Sequence, residues 1–449
     1  SGFLARVFST RVLFFSAAVG FTAASALCAT ATNINEMIVY RAIQGFIGGG
    51  MIPSVFAVAF TLFPRSKQSI VSPIIGLVAT LAPTIGPTVG GYLTDTYSWH
   101  WLFLINVVPG ILVAIAVFFL VDFDKPNYAL LDRFDFVGLI GMAMFLGSLE
   151  YVLEEGPRYD WFDDQTIAVF GVLTVLGALI FFWRAATAED PIVELRAFKN
   201  RNFAFGSAFS FTMGIGLYGL TYVYPVYLGQ VRGYDSLMIG QTMFVTGVAM
   251  FMTAPVSGRL SALIDPRYMM LIGFAGFALG TYIASYITPD WDFWELIVPQ
   301  ILRGSSLMLC MVPITNLSLG TLPHDQMKNA SGLFNLTRNL GGAVGLAAIN
   351  TLLNKRLDLH LARLHEQVAW GHQAAEEQLA MMQQNFGMAM HSDGDAAALK
   401  KLAMLVRNQA NVLSFADLFI VLTVLFAVTG VFTLLMRKPG AVPAGAGGH

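Results

Sequence analysis

Three arginines stand inside long apolar runs of this 449-residue sequence: Arg41, Arg303 and Arg338. A guanidinium surrounded by hydrocarbon costs several kcal/mol, so such a residue normally faces a cavity or a partner group. Arg303 lies nine residues into its run, about 14 Å at 1.5 Å per residue, close to the midplane of a bilayer. It can receive an anion or a carboxylate, or pair with a neighbouring helix. Arg338, eight residues in, shares a polar face with Asn335, Asn339 and the Gly341-Gly342 pair. For both arginines a coupling role and a structural pairing stay open. Arg41 sits about one turn inside its run and can snorkel to the headgroups. Its neighbours Gln44, Gly45, Gly48 and Gly49 argue for an inward face and a gating or proton-relaying cation.

Carboxylates are scarce where the arginines are. Glu150 is the one acid clearly within an apolar run, a turn from Glu154 and Glu155, so it reads as a substrate contact or as an interfacial acid. Tyr218 and Tyr222 share a helix face at i, i+4 beside Gly214 and Gly219, which suits a wall for lipophilic ligands. Phe209, Asn106 and Asn316 are further candidate cavity residues, whereas Tyr224, Tyr227 and Trp294 read as an interfacial aromatic belt. Pro83 and Pro87 lie four apart in one run; each removes a backbone donor and bends a helix. Gly86, Gly90 and Gly91 beside them leave a face for close helix contact.

Other chemistries lack their residues. There is no phosphate-cradling GxxxxGK[ST] loop and no GxSxG nucleophile turn. Cys28 and Cys310 both sit in apolar runs, which leaves no disulfide framework and no CxxC metal site. His360, His365 and His372 are spaced five and seven apart, which does not put two on one face a turn apart, so no metal site is expected.

The elements that must position these residues follow from composition. Charged residues make up 12%, against roughly a quarter in soluble proteins, and hydrophobic residues 56%. Mean hydropathy is +0.64. Such a chain cannot cover its surface with polar groups, so it faces the lipid bilayer and is no soluble globular enzyme. A net charge of −2 excludes a nucleic-acid binder driven by phosphate neutralisation. A spanning helix needs about 20 apolar residues. Runs of that kind fall near 12–31, 37–62, 69–93, 100–121, 136–153 and 166–183, and near 203–228, 237–258, 268–288, 294–320, 330–353 and 413–436, twelve in all. They are continuous, unlike the alternating segments of a membrane barrel. The sequence therefore specifies an all-α polytopic membrane protein.

Orientation comes from lysine and arginine. With residues 1–11 cytoplasmic, fifteen basic residues fall on the cytoplasmic side, against only Arg158 and Arg232 in the opposite short connections. Both visible termini are then cytoplasmic. The long connection 354–412 falls outside; its leucines at 357, 361 and 364 keep helical spacing and Gly394 marks a turn, so a helical hairpin is expected. Residues 437–449 read as a cytoplasmic tail rich in Gly, Ala and Pro.

The sequence also repeats itself. Arg41, Gly45, Pro53, Pro64 and Gly86 are echoed in order by Arg303, Gly304, Pro313, Pro323 and Gly345, with Gly45, Pro64 and Gly86 at a constant offset of 259. Two runs precede Ser257-Gly258 in the second copy, and none precedes the matching Ser1-Gly2. The repeat thus leads to the expectation that two spans are missing and that a parent has fourteen. The chain then divides into a truncated N-terminal bundle (1–122), an inserted pair of spans (123–202) and five spans of a C-terminal bundle (203–353). The external helical segment (354–412), the last span (413–436) and the tail (437–449) follow. Parallel repeats of six spans describe a secondary transporter with its site between the halves.

On these motifs the chain resembles the major facilitator superfamily, in particular the fourteen-span drug:H+ antiporter family of EmrB/QacA type, and most closely its EmrB branch. Gly2-Phe3-Leu4-Ala5-Arg6 to Arg11 resembles the family's loop between spans two and three. Arg41 to Gly45 resembles its span-four motif, Pro83 to Gly91 its span-five antiporter motif, and Trp99 to Asn106 the start of span six. The resemblance implies a major facilitator fold, a kinked hinge at Pro83 and Pro87 between the halves, and proton-coupled export by alternating access. It implies no cofactor, because the proton gradient drives transport, and a place in the bacterial inner membrane. It also implies an acid in the family's first span, near Arg41, and a periplasmic adaptor leading to an outer-membrane channel, with 354–412 as docking surface. Rival readings are export of a specific metabolite such as a fatty acid or siderophore, and a non-transporting scaffold or sensor.

Overall fold

The computed structural model describes residues 4, 7–51, 54–55, 63, 67–121, 126–128, 134–188, 191–323, 326–368, 373–390 and 394–436. All regular structure among them is helical. The first half contains α1 (Thr10–Ala29), α2 (Ile34–Gly48), α3 (Gln68–Thr96), the single turn α4 (Trp101–Leu104) and α5 (Val107–Leu120). A hairpin of α6 (Phe136–Glu155) and α7 (Gln165–Thr187) follows. The second half opens with α8 (Arg201–Gly214), a π-helical turn (Ile215–Gly219) and α9 (Leu220–Tyr227). It continues with α10 (Ser236–Leu263), α11 (Pro266–Ala284), α12 (Phe293–Leu319), α13 (Met327–Gln367), α14 (Gln373–Met390) and α15 (Gly394–Phe432).

Among the described residues nine helices are long and apolar enough to cross a membrane. Of the other three runs expected to span, those near 69–93 and 330–353 lie on α3 and α13 and the first part of 37–62 on α2, while residues 52–53 and 56–62 of that run lie outside the described residues. Phe119 and Leu120, 73% and 81% exposed, show the lipid-facing character of the outer surface. Without water to satisfy backbone groups, only helices or closed barrels are viable here, and the acids mark where helices begin. Asp164 accepts from the Thr166 and Ile167 amides at 2.7 and 3.2 Å, and the Ile167 amide above all holds its carboxyl below the usual range. Asp235 caps α10 in the same way. Asp292 and Glu295 form a reciprocal capping box on α12.

α6 and α7 pack face to face, with Arg184 Nε donating to the buried Asp135 at 2.8 Å. The outer end of this hairpin rests on α13: Trp161 Nε1 donates to Thr351 at 3.2 Å, and Asn354 donates to the Pro157 carbonyl at 3.0 Å. The core of the second half is aromatic, built on Phe203, Phe274, Phe277, Phe415, Phe419 and Phe426.

The packing sharpens one expectation and changes two. Phe209, a candidate cavity residue, is 3% exposed within that core, its ring 6.2 Å from Phe274. Tyr224 and Tyr227 are buried core residues and not part of an interfacial belt, because both point at neighbouring helices; Trp294, 74% exposed, fits the belt. The segment 354–412 is helical, and α14 and α15 pack against each other on either side of residues 391–393 as a hairpin near Gly394 requires; what changes is the boundary, because α13 and α15 are continuous through positions 353 and 413. Residues 354–367 contain no proline or glycine, so nothing in the backbone stops α13 at the boundary set by hydropathy.

Candidate functional site

The site is assembled from the glycine-rich break in the first helix of the second half. Gly214, Gly216 and Gly219 surround the π turn Ile215–Gly219, and a π insertion displaces a carbonyl from the regular ladder. The Leu217 carbonyl accepts from Thr221 Oγ1 at 2.5 Å and from Arg303 Nη2 of α12 at 3.3 Å. Arg303 Nη2 also donates to Thr221 Oγ1. The guanidinium carbon stands 5.9 Å from the centre of the Tyr224 ring, a cation–π contact. Arg303 is only 2% exposed, and among the described residues its Nε and Nη1 have no hydrogen-bond partner. One turn earlier on α12, the fully buried Gln300 accepts from Thr246 of α10.

α13 supplies the second polar face. Arg338 is 2% exposed; its Nη2 donates to Asn335 Oδ1, and its Nη1 approaches Met311 Sδ at 3.7 Å. Gly342 leaves the space that the Tyr218 ring occupies. Tyr218 donates to Asn339 at 3.2 Å and Tyr222 to Asn350 at 2.7 Å, so the two tyrosines line up along one asparagine-bearing face.

In the first half Arg41 donates to Gln44 Oε1 at 2.9 Å, and the buried Gln44 donates to Ser25 at 2.6 Å. The Arg41 guanidinium lies 5.6 Å from the Phe103 ring centre and is itself exposed. Asn106 sits half-buried at the α4–α5 joint, 3.5 Å from the Leu102 carbonyl. Asn316 is half-buried on α12, about 20 Å along the helix from Arg303 at 1.5 Å per residue. Glu150 is exposed on α6 and is not brought to any of the three arginines by a described ion pair. The sequence missed Thr221, Gln300 and Thr246; a hydroxyl or amide inside an apolar run was the available signal.

The glycine–proline motif lies on α3, which is helical from Gln68 to Thr96; the side chains of Pro83 and Pro87 lie outside the described residues. Its glycines are not equivalent. Among the described residues Gly86 has no atom within 4 Å of where a Cβ would stand, and Gly90 is 3.5 Å from Leu102 by the same measure. At Gly91 a Cβ would stand 2.5 Å from the Ser236 carbonyl oxygen, so only glycine lets α3 reach the start of α10. Thr88 Oγ1 donates to the Gly240 carbonyl at 2.5 Å across the same line, while Ile75 and Leu77 pack against the core of the second half. α3 and α10 therefore form a seam between the two halves.

Residues 1–346 match the family model of the Major Facilitator Superfamily. The colistin resistance protein EmrB of Acinetobacter baumannii is 40% identical over 441 residues, 98% of this chain and 85% of that protein. The chain belongs to the major facilitator superfamily, in its EmrB branch. The multidrug export protein EmrB of Escherichia coli K12 is 29% identical, with 100% of this chain and 86% of that protein covered. The fatty acid resistance protein FarB of Neisseria gonorrhoeae is 30% identical, with 100% and 87% covered. As a superfamily member the chain is a multi-pass membrane carrier. The α3–α10 seam joins helices from its first and second halves.

Proposed function

We propose that the chain is a proton-coupled exporter of amphipathic and lipophilic compounds, working by alternating access between the two halves. The observation that carries this reading is the seam: one helix from each half, apposed through a glycine and a threonine, with polar centres at Arg41–Gln44 on one side and Arg303 and Arg338 on the other. Relatives named for multidrug export and colistin resistance that align along almost the whole chain support the cargo class. The half-satisfied Arg303 guanidinium is the group we assign to coupling, since a buried cation with unmet donors favours the state that brings it an acceptor. No cofactor takes part; the proton gradient is the energy source. We place the protein in the bacterial inner membrane with both termini cytoplasmic and the 354–412 helices in the periplasm, where they offer a docking surface for an adaptor leading to an outer-membrane channel.

Reconstituted into proteoliposomes, the protein should move a lipophilic dye only while a pH gradient is imposed. Flux that continues unchanged after the gradient and membrane potential are collapsed rejects antiport. A second reading, export of a specific fatty acid, is favoured by the relative named for fatty acid resistance. It requires that a fatty acid be carried and that dyes and drugs fail to compete with it.

A further inference from the structure

Gln300 of α12 holds a buried amide with weak partners. Its side chain is fully buried, its Oε1 accepts from Thr246 of α10, and its Nε2 donates to Met243 Sδ at 3.2 Å. A thioether is a poor acceptor, and an amide oxygen has two lone pairs of which Thr246 uses one. One turn further along, Arg303 has the complementary deficit. Its Nη2 donates to Thr221 and to the Leu217 carbonyl, whereas among the described residues Nε and Nη1 find no acceptor. Side chains three apart on a helix are neighbours, and helical side chains tilt toward the N-terminus. The stem of Arg303 is therefore directed back over the turn that bears Gln300, yet among the described residues no hydrogen bond joins the two.

The same pair of side chains is joined in the first half. Arg41 donates to Gln44 Oε1 at 2.9 Å across three residues of α2, and Gln44 Nε2 donates onward to Ser25 of α1 at 2.6 Å. There the glutamine links its own arginine to a hydroxyl of the next helix. On α12 the glutamine keeps the hydroxyl and leaves the arginine. Exchange of partners needs only rotation of the amide, because α10 and α12 are held together by other contacts. A Cβ at Gly304 would stand 2.5 Å from the Thr246 carbonyl oxygen, Thr253 donates to Ser305 at 3.1 Å, and Ser257 donates to the Met308 carbonyl at 2.8 Å. Met243 and Thr246 lie three and six residues from Gly240, whose carbonyl accepts from Thr88. The groups that hold the amide thus stand within two turns of the contact between the halves.

We propose that Gln300 is a positioning residue for Arg303: during the transport cycle its Oε1 turns from Thr246 to the unmet donors of the guanidinium, giving α12 the arrangement that Arg41 and Gln44 already make. The new bond is charge-assisted and so stronger than the neutral one it replaces. The inference rests on the transport reading for the moment of the exchange, while the contact itself is measured without transport.

Melting of the full chain in nanodiscs tests the reach. Gln300→Glu keeps the side-chain length and carries a carboxylate. Relative to Gln300→Leu it should melt higher when Arg303 is present and lower in an Arg303→Met background, where the buried carboxylate has lost its cation. The same difference in both backgrounds, or failure of Gln300→Glu to insert where Gln300→Leu inserts, overturns the proposal. Dye binding and efflux test the exchange. Gln300→Leu should keep dye affinity within about twofold and lower the maximal efflux rate about tenfold, the scale of one hydrogen bond to a charged group. The Gln300→Leu, Arg303→Met double variant should be no slower than Arg303→Met alone, because the bond between them is already gone. A further loss of about tenfold in the double variant, or an unchanged rate in Gln300→Leu, also overturns it. Should the unaltered protein move no dye, the transport reading falls, and the melting comparison still decides whether position 300 reaches Arg303.

Discussion

Arg303 shows how much a single side chain can carry inside a membrane. Its position in the sequence gives its depth, but its acceptors are the Leu217 carbonyl and the Thr221 hydroxyl, 86 and 82 residues away. Removing the guanidinium takes away the buried charge and leaves the π-turn carbonyl to Thr221 alone. Arg303→Ala should lower dye efflux at least about tenfold, an effect of about 1.4 kcal/mol or more, with the chain still inserted in the membrane. Arg303→Lys should recover part of that, because an ammonium keeps the charge but lacks the planar fork. Unchanged efflux at normal expression in Arg303→Ala would remove its assigned role. Tyr224 and Tyr227 teach the complementary lesson: their types suit a headgroup belt, yet burial against Phe419 and Phe415 makes them core. Depth along a helix is a count of residues, whereas the direction a side chain faces depends on which helix packs there.

At the scale of the element, α3 is the helix on which sequence and structure meet most closely. Its glycine spacing announces a close contact but does not say with what. The contact is α10, and it is made at Gly91 and not at Gly86. The two substitutions therefore separate cleanly. Gly91→Ala should destabilise the protein by about 1–3 kcal/mol, the range for overpacking, because its Cβ meets the backbone carbonyl of Ser236 rather than a side chain that could turn away. Gly86→Ala should be neutral or slightly stabilising, since it adds helix propensity of up to about 1 kcal/mol in open space. Thermal unfolding of the two detergent-solubilised variants checks this, and equal melting temperatures contradict the seam. The extensions of α13 and α15 are the opposite case. Hydropathy ends these spans at 353 and 413, but hydropathy measures preference for lipid, and helix continuity is decided by backbone propensity, which does not change there.

For the whole molecule, the function proposed requires the halves to move along the seam. A cysteine pair at Thr88→Cys and Gly240→Cys, joined by a short reversible cross-linker, should arrest efflux, and reduction should restore it. The background is favourable because Cys28 and Cys310 are both buried and free. Full efflux by the cross-linked protein would show that the seam is not a moving contact. The sequence by itself determined the solvent, since 12% charge cannot clothe a soluble surface. It also determined the helical class and most of the spans, because twenty apolar residues in hydrocarbon must satisfy their own backbone hydrogen bonds. What only the tertiary structure decided is partnership: that Arg303 meets a π-turn carbonyl, that Tyr222 meets Asn350, and that Thr88 meets the Gly240 carbonyl. The reason is physical. Helix formation in a membrane is a local bargain between each residue and lipid, while contacts between helices join residues tens or hundreds of positions apart, and no local pattern encodes which faces will be brought together.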